Sequence, residues 1–308
     1  MEHEIQQFLT YMAAERGASA NTISAYRNDL AQLRAYFVEQ HAKLHEDDPA
    51  ATTPIEEIDA EQLQEYIVHL REQQYAAATV ARKVAAVKSL FSYLHGENVI
   101  DVNPAEQLSS PRVGRSLPRT LTVQEVDALL EQPGRWNTPE AARDQAMLEM
   151  LYATGMRVSE FVSLDLSSIE LQGQRASVRC VGKGRRERLI PIHSAAVAAL
   201  HHYLQEARPK LARGRREVAL FINRRGERLT RQGVWLIIKH YAQEAGISGV
   251  TPHTLRHSFA THLLRGAAPL RNVQELMGHA NISTTQLYTQ LTDEHLRDVY
   301  DRAHPRAS

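Results

Sequence analysis

Three short runs near the C-terminal end gather side chains suited to handling a phosphate. They are Pro252-His253-Thr254-Leu255-Arg256-His257, Gly278-His279-Ala280 and Thr284-Thr285-Gln286-Leu287-Tyr288-Thr289. Thr251 suits an N-cap and Pro252 the first helical position after it. His253 and Arg256, three residues apart, then share one face of the first turn, where free amides and the helix dipole favour an anion. Arginine holds phosphate through a planar fork. Gly278 reads as the residue just past a helix through Val273, Leu276 and Met277, with His279 beyond the helix end. Ser283 with Gln286 forms a capping box, Ile282 with Leu287 a hydrophobic staple, and Tyr288 falls early in that short helix. A phenol titrates at about 10, so Tyr288 needs cations or hydrogen bonds that favour phenolate before it attacks anything. The combination predicts phosphoryl transfer through a covalent tyrosine.

Plainer readings exist for each residue alone. Tyr288 by itself is a core residue, and His279 a structural or surface histidine. His253 and His257, four apart, could chelate zinc. Arg256 between them would repel the ion, and the glutamate of a zinc-protease motif is missing. Further upstream, Arg157 sits in Ala153-Thr154-Gly155-Met156-Arg157-Val158-Ser159-Glu160, where a Gly155 turn would end one helix and start the next. Glu160 is placed to pair with it. Lys183 lies between Gly182 and Gly184, so its side chain can swing; as a mobile cation it could deliver a proton to a leaving oxygen.

The elements that must position these groups fall into two parts. Residues 1–102 read as a helical domain. Ile5, Phe8, Leu9 and Met12 form one stripe; Asn21 or Thr22 caps a helix carrying Ile23, Tyr26, Leu30, Leu33, Tyr36 and Phe37. Asp59 with Gln62 resembles a capping box before Leu63, Tyr66, Ile67 and Leu70, and Thr79 opens a helix with Val84, Val87, Leu90, Phe91 and Leu94, ended by Gly96. The tyrosines in these stripes read as core rather than base-stacking platforms. The acidic stretch from His45 to Glu57 reads as a loop. Between 103 and 120 periodicity disappears, and Pro104, Pro111, Pro118, Arg112, Arg115 and Arg119 suggest an extended, basic linker. Residues 121–308 open helically with Thr122-Val123-Gln124-Glu125, a capping box, and continue through Ala146, Met147, Met150 and Leu151. The alternation of Ser177–Val181 and Glu187–Ile192 predicts a β-hairpin with Lys183 near its tip, and Phe221-Ile222 a short strand. The fold class is therefore mainly α with a small β-hairpin or sheet.

Composition is that of a soluble globular protein: 43% hydrophobic and 23% charged over 308 residues. The single cysteine, Cys180, excludes an intramolecular disulfide, suits a reducing compartment and reads as buried filler. No apolar run approaches transmembrane length and the start lacks a basic signal region, so the expectation is a cytoplasmic protein without a membrane partner. The formal net charge of zero hides an asymmetry. Residues 1–110 hold 8 Lys/Arg and 17 Asp/Glu, while residues 111–308 hold 28 and 19. Between Arg179 and Arg231, 14 basic residues face 4 acidic ones, the composition of a patch that neutralises nucleic-acid phosphates.

Taken in order, type and spacing, Arg157, Lys183, His253, Arg256, His279 and Tyr288 resemble one known set. The chain resembles the tyrosine recombinases of the phage-integrase superfamily, and within it the bacterial Xer subfamily with its XerC and XerD branches. Residues 21–30, 154–160, 182–188 and 253–263, the stretch from Gly278 to Thr289 and the ending His304-Pro305-Arg306-Ala307 carry the likeness. Met156 and Met277 stand where the family often has leucine. The Val299-Tyr300-Asp301 ending and Gln274-Glu275-Leu276 lean toward XerC.

The resemblance implies a SAM-like, helical core-binding domain and a C-terminal catalytic domain that form a C-shaped clamp on double-stranded DNA. Arg27, Arg34, Arg82, Lys83 and Lys88 would gather on the DNA-facing side of the acidic first domain. It implies that Tyr288 attacks the scissile phosphate and forms a 3′-phosphotyrosyl link. Arg157 and Arg256 would hold the non-bridging oxygens, Lys183 would protonate the 5′-oxygen, His253 would assist deprotonation of Tyr288, and His279 would hydrogen-bond the phosphate. No metal, ATP or other cofactor is required. Strand exchange through a Holliday junction would take a homo- or hetero-tetramer with a paralogous recombinase on two dif-like sites, resolving chromosome or plasmid dimers, with a DNA translocase as a candidate regulator. The C-terminal segment around Glu294, Leu296, Val299 and Tyr300 would dock on the neighbouring protomer. A type IB topoisomerase, a phage or transposon integrase and a non-catalytic DNA-binding protein are the alternatives.

Overall fold

A computed structural model describes residues 1–44, 53–111, 119–171, 176–181, 187–278 and 293–307. They form two compact units, Met1–Ser116 and Leu117–Ser308. Helices α1 (Glu2–Ala14), α2 (Ala20–Leu44), α3 (Ala60–Glu72) and α4 (Ala77–Gly96) make up the first. Their predicted stripes turn inward: Phe8, Leu30, Leu33, Leu63, Tyr66, Leu90 and Phe91 are each at most 2% exposed and share one core. Tyr36 and Tyr66 lie in that core, 5.2 Å apart between ring centroids. Asp59 caps α3 by accepting from Gln62 N at 2.8 Å, and the Gln62 side chain returns the bond, as expected.

Two helix starts differ from expectation. Ser19, not Asn21 or Thr22, accepts the orphan N–H of Thr22 at 3.2 Å, one residue before α2 begins. Helix α4 starts at Ala77 after Ala76, with no side-chain cap, rather than at Thr79. An uncapped start survives because Val80, Val84, Val87, Phe91 and Leu94 bury the helix along its length. Lys83 is a further correction. Expected on a DNA-facing side, it is 4% exposed and donates to Asp29 at 3.0 Å and Gln32 at 2.5 Å. Asp29 accepts from Arg82 as well, and Arg34 pairs with Glu2 at 3.1 Å. The chain from Asn103 to Pro111, expected as linker, begins packed: Ala105 and Leu108 belong to the first core.

The second unit is built around α6 (Pro139–Thr154), which is buried on nearly every side. Helices α5 (Val123–Glu131), α8 (Ser194–His202) and α11 (Pro252–Arg265) pack on it. Its buried Asp144 is matched, taking Arg143 Nε at 2.8 Å and Tyr241 Oη at 3.1 Å. Short α7 (Val158–Val162) follows α6, α9 (Arg208–Ala212) follows α8 after a π-helical turn, and α10 (Arg231–Glu244) precedes α11. The expected hairpin is present as β2 (Ser177–Val181) antiparallel to β3 (Glu187–Pro191), in the register Cys180↔Arg188. A two-residue strand that the periodicity does not reveal, β1 (Ile169–Glu170), completes the sheet in the order β1-β2-β3. The short strand expected at Phe221-Ile222 is a single bridge between Ile222 and Arg228.

After α12 (Leu270–Met277) come residues outside the description, then α13 (Asp293–Ala303). Helix α13 packs on α11, α12 and β3 of its own chain. Tyr300 is fully buried and donates to Ala153 O at 3.0 Å, while Arg306 bonds Asp127 at 2.6 Å and Glu149 at 2.9 Å. In the single chain this segment therefore completes its own core. Among the described residues no helix is long and apolar enough to cross a membrane.

Candidate active site

The chain leaves α6 through Gly155, at φ 55°, with its N–H on Leu151 O at 3.0 Å. A Cβ there would lie 2.2 Å from the Phe259 ring, so glycine serves both the left-handed turn and the close approach of α11. Two residues on, Arg157 caps α7. Glu160 reaches back to the Arg157 N–H at 2.8 Å, the acidic half of a capping box. The Arg157 guanidinium, 42% exposed, donates to Glu160 Oε1 at 3.1 Å and to Gly278 O at 3.2 Å.

Helix α11 starts as expected, with Thr251 Oγ1 accepting from Thr254 N at 3.1 Å and Pro252 at the first position. His253 and Arg256 both lie in its first turn but meet different surroundings. His253 is exposed. Arg256 is 7% exposed and turns inward, donating to Gly155 O at 2.5 Å and Met277 O at 2.7 Å. Burial, and then the neighbouring charge of Arg157, pull its guanidinium down to about 10, which leaves it charged at neutral pH.

At the end of α12 these contacts form a pattern. Gly278 ends the helix in the left-handed conformation, φ 63°. The three successive carbonyls there each accept from a different arginine: Leu276 O from Arg188 Nε at 3.0 Å, Met277 O from Arg256, and Gly278 O from Arg157. Helix C-terminal carbonyls lack intrahelical donors and carry the negative end of the dipole, so they hold cations well. Three guanidiniums are gathered here around one carboxylate. Glu160 also receives Arg188 Nη1 at 3.1 Å and Nη2 at 2.9 Å. Burial acts to raise the Glu160 carboxyl, but the hydrogen bonds and charge of Arg188 and Arg157 outweigh it and hold the group below its ordinary value. Cys180, buried on β2 beside this cluster, has its thiol pushed up to about 11 by burial, which leaves it an inert thiol.

The structure thus brings together Arg157, Arg256 and, at the surface of the same helix turn, His253. Lys183, His279 and Tyr288 lie outside the described residues, as does the predicted capping box of Ser283 and Gln286. The chain reaches them from described positions: Val181 and Glu187 flank the segment that holds Lys183, and Gly278 immediately precedes His279. Sequence reasoning assigned no role to Arg188. The period-2 alternation of β3 carried the signal, because it places Arg188 on the same face as buried Ile190 and opposite buried Cys180. Among the described residues no three His, Cys, Asp or Glu side chains converge as a metal site.

The phage integrase family signature matches residues 119–295, and the phage integrase N-terminal SAM-like domain matches residues 5–98. The chain is 48% identical to tyrosine recombinase XerC of Herpetosiphon aurantiacus over 99% of its length and 96% of that protein's. It is 44% identical to tyrosine recombinase XerD of Halalkalibacterium halodurans over 100% and 99%. The chain belongs to the Xer tyrosine recombinases of the phage integrase family. Among solved structures, XerH site-specific recombinase bound to difH substrate aligns with TM-score 0.66 and 25% identity, over 96% of this chain and 83% of that one. A lambda integrase dimer bound to a core site, at 16% identity and TM-score 0.65 over 95% and 99%, shares the fold. The recombinase is thus mainly helical, with an N-terminal SAM-like domain, a catalytic domain and a small three-stranded antiparallel sheet.

Proposed function

We propose that the arginine cluster at the end of α12 is the phosphate clamp of a DNA strand-transfer site. What supports the reading is the excess of charge: three guanidiniums, one carboxylate, and carbonyls for the rest. A phosphodiester gains negative charge on its non-bridging oxygens as a nucleophile adds, and preorganised cations answer that charge without reorganisation. Arg157 and Arg256 hold those oxygens, with Arg157 supplying the solvent-facing edge. Tyr288 attacks the phosphorus, the 3′-phosphotyrosyl bond forms, and the 5′-oxygen leaves with a proton from Lys183. His253 assists removal of the phenol proton, and His279 hydrogen-bonds the phosphate. The bond energy stays in the phosphotyrosine, so a 5′-hydroxyl from a second duplex reseals it without ATP or a metal.

The two units together grip duplex DNA, and four copies, alone or with a paralogue, act on two sites through a Holliday junction. Relatives named both XerC and XerD, and a solved relative bound to difH substrate, support a dif-like target, chromosome- or plasmid-dimer resolution, and work in the cytoplasm, where a DNA translocase would regulate exchange. In the tetramer, α13 and the tail make on a neighbour the same contacts that Tyr300 and Arg306 make within one chain. Truncation after residue 291 then abolishes tetramers on DNA in sedimentation; unchanged tetramers would refute the docking.

The decisive experiment is a nicked duplex carrying the sequence that the protein selects from a randomised pool. A covalent protein–DNA adduct forms and resists denaturant. It vanishes with Tyr288→Phe; an undiminished adduct in that variant would sink the mechanism.

A further inference from the structure

Arg188 stands on β3, outside the set of residues predicted to touch phosphate, yet it bonds both α7, which Arg157 opens, and the end of α12, which precedes His279. Its side chain is 13% exposed. Nε reaches Leu276 O at the end of α12, and the two Nη atoms reach the two oxygens of Glu160 on α7 at 3.1 and 2.9 Å. Gly278, the residue before His279, leaves no room for a side chain, since a Cβ there would lie 2.8 Å from Arg188 Nη1. Lys183 stands five residues earlier in the sequence.

The pattern of bonds on Glu160 shows what this achieves. A carboxylate offers about four acceptor positions. All are taken: Oε1 by Arg157 Nη1 and Arg188 Nη1, Oε2 by the Arg157 backbone N–H and Arg188 Nη2. Without Arg188, Glu160 would face Arg157 alone, and such pairs settle into a two-bond fork. That fork would take up the Arg157 edge which phosphate needs and neutralise its charge. With Arg188 present, Arg157 gives Glu160 one side-chain bond and Gly278 O another, and keeps its remaining N–H groups for a further ligand.

We propose that Arg188 is a positioning residue for strand cleavage: by occupying Glu160 and tying β3 to the end of α12, it keeps Arg157 free and aligned for the scissile phosphate. The inference rests on the phosphate-clamp reading above. Arg188 does not itself touch the reacting atoms.

The test uses the full-length protein and the nicked, pool-selected duplex under single-turnover conditions. Arg188→Met lowers the rate of adduct formation by about 100-fold while the Kd for intact duplex changes less than about threefold, because the loss is confined to the transition state. Arg188→Lys, which restores a charge but not the fork, recovers part of that loss. The discriminating probe is the same duplex with a methylphosphonate at the scissile position. An uncharged phosphorus centre makes less use of Arg157, so the Arg188→Met loss shrinks to less than about fivefold. Equal losses on phosphate and methylphosphonate, or a wild-type rate in Arg188→Met, would overturn the proposal. Should Arg188→Met melt below the assay temperature, the Arg188→Lys to wild-type ratio on the two substrates decides in the same way. An adduct that persists in Tyr288→Phe brings down the clamp reading itself, a result separate from either outcome for Arg188.

Discussion

The two units bury charge in opposite ways. In the helical unit Asp29 is enclosed by Lys83 and Arg82, with Gln32 completing the lysine's bonds. Two bases meet one acid there, side chains answer side chains, and each cation has the carboxylate as a direct partner. In the catalytic unit Arg157 and Arg188 share the Glu160 carboxylate, while Arg256, among the described residues, bonds only carbonyls; the remaining bonds of the three go to the carbonyls of Gly155, Leu276, Met277 and Gly278. Carbonyls satisfy N–H donors without cancelling their charge. The first arrangement holds a core together; the second stores positive potential for an anion. Two clusters of similar residue types therefore differ in the charge they leave uncancelled, through the identity of their acceptors.

The largest expected effect comes from removing the buried half of that potential. Arg256→Met lowers adduct formation on the nicked duplex by about 1,000-fold. It also lowers the melting temperature, since Gly155 O and Met277 O lose their donor. An Arg256→Met protein that cleaves normally would erase the distinction between the units. Arg157→Lys comes next, at about 100-fold in cleavage, because an ammonium cannot serve Glu160, Gly278 O and a phosphate oxygen in one plane. Its melting temperature stays near wild type, as this side chain is partly exposed.

The helical unit should show the reverse pattern. Asp29→Asn leaves Lys83 buried without its counter-charge and destabilises that unit by about 3 kcal/mol in denaturant titrations. At saturating DNA its cleavage rate remains at the wild-type value; a large loss there would mean that the closed cluster also serves the chemistry. The smallest effect of any single group concerns acid. Burial holds His304 down to about 3 and His193 down to about 4, with smaller contributions from neighbouring positive groups. Below the ordinary histidine value the unfolded chain takes up protons that the folded chain refuses. Stability is therefore complete above about pH 6.5 and declines toward the folded values, by about 2 kcal/mol per histidine at pH 5. Among its described residues the helical unit buries no histidine, so acid unfolding should begin in the catalytic unit. Hydrogen exchange at pH 7.5 and pH 5 separates the two, and equal losses of protection would contradict the assignment.

Much of this architecture was legible in the chain because local rules coincide with it. Asp59–Gln62 and Thr122–Glu125 form the capping boxes that their spacing predicts. Gly155 and Gly278 take left-handed turns, and β2 and β3 pair where the alternation predicts. The rules missed where burial overrides propensity. Helix α4 starts without a cap, α2 is capped by Ser19, and Lys83 lies inside because Asp29, one turn-face away on α2, accompanies it. Nothing local marks β1, whose two residues are ordered only by pairing with β2.

Residue types and their spacing mark the groups able to do chemistry. Arg157, Lys183, His253, Arg256, His279 and Tyr288 stand in the order and spacing that resemble the recombinase set, and Gly155 and Gly278 specify turns, because φ > 0 is a local steric matter. What the arginines do with their charge depends on packing between distant elements. Arg256 turns inward while His253 faces solvent, Arg188 closes on Glu160, and three guanidiniums meet three consecutive carbonyls at the end of α12. Those partners lie from 21 to 121 residues apart along the chain. No periodicity spans such distances; the packing of α6, α11 and α12 around one core brings them together.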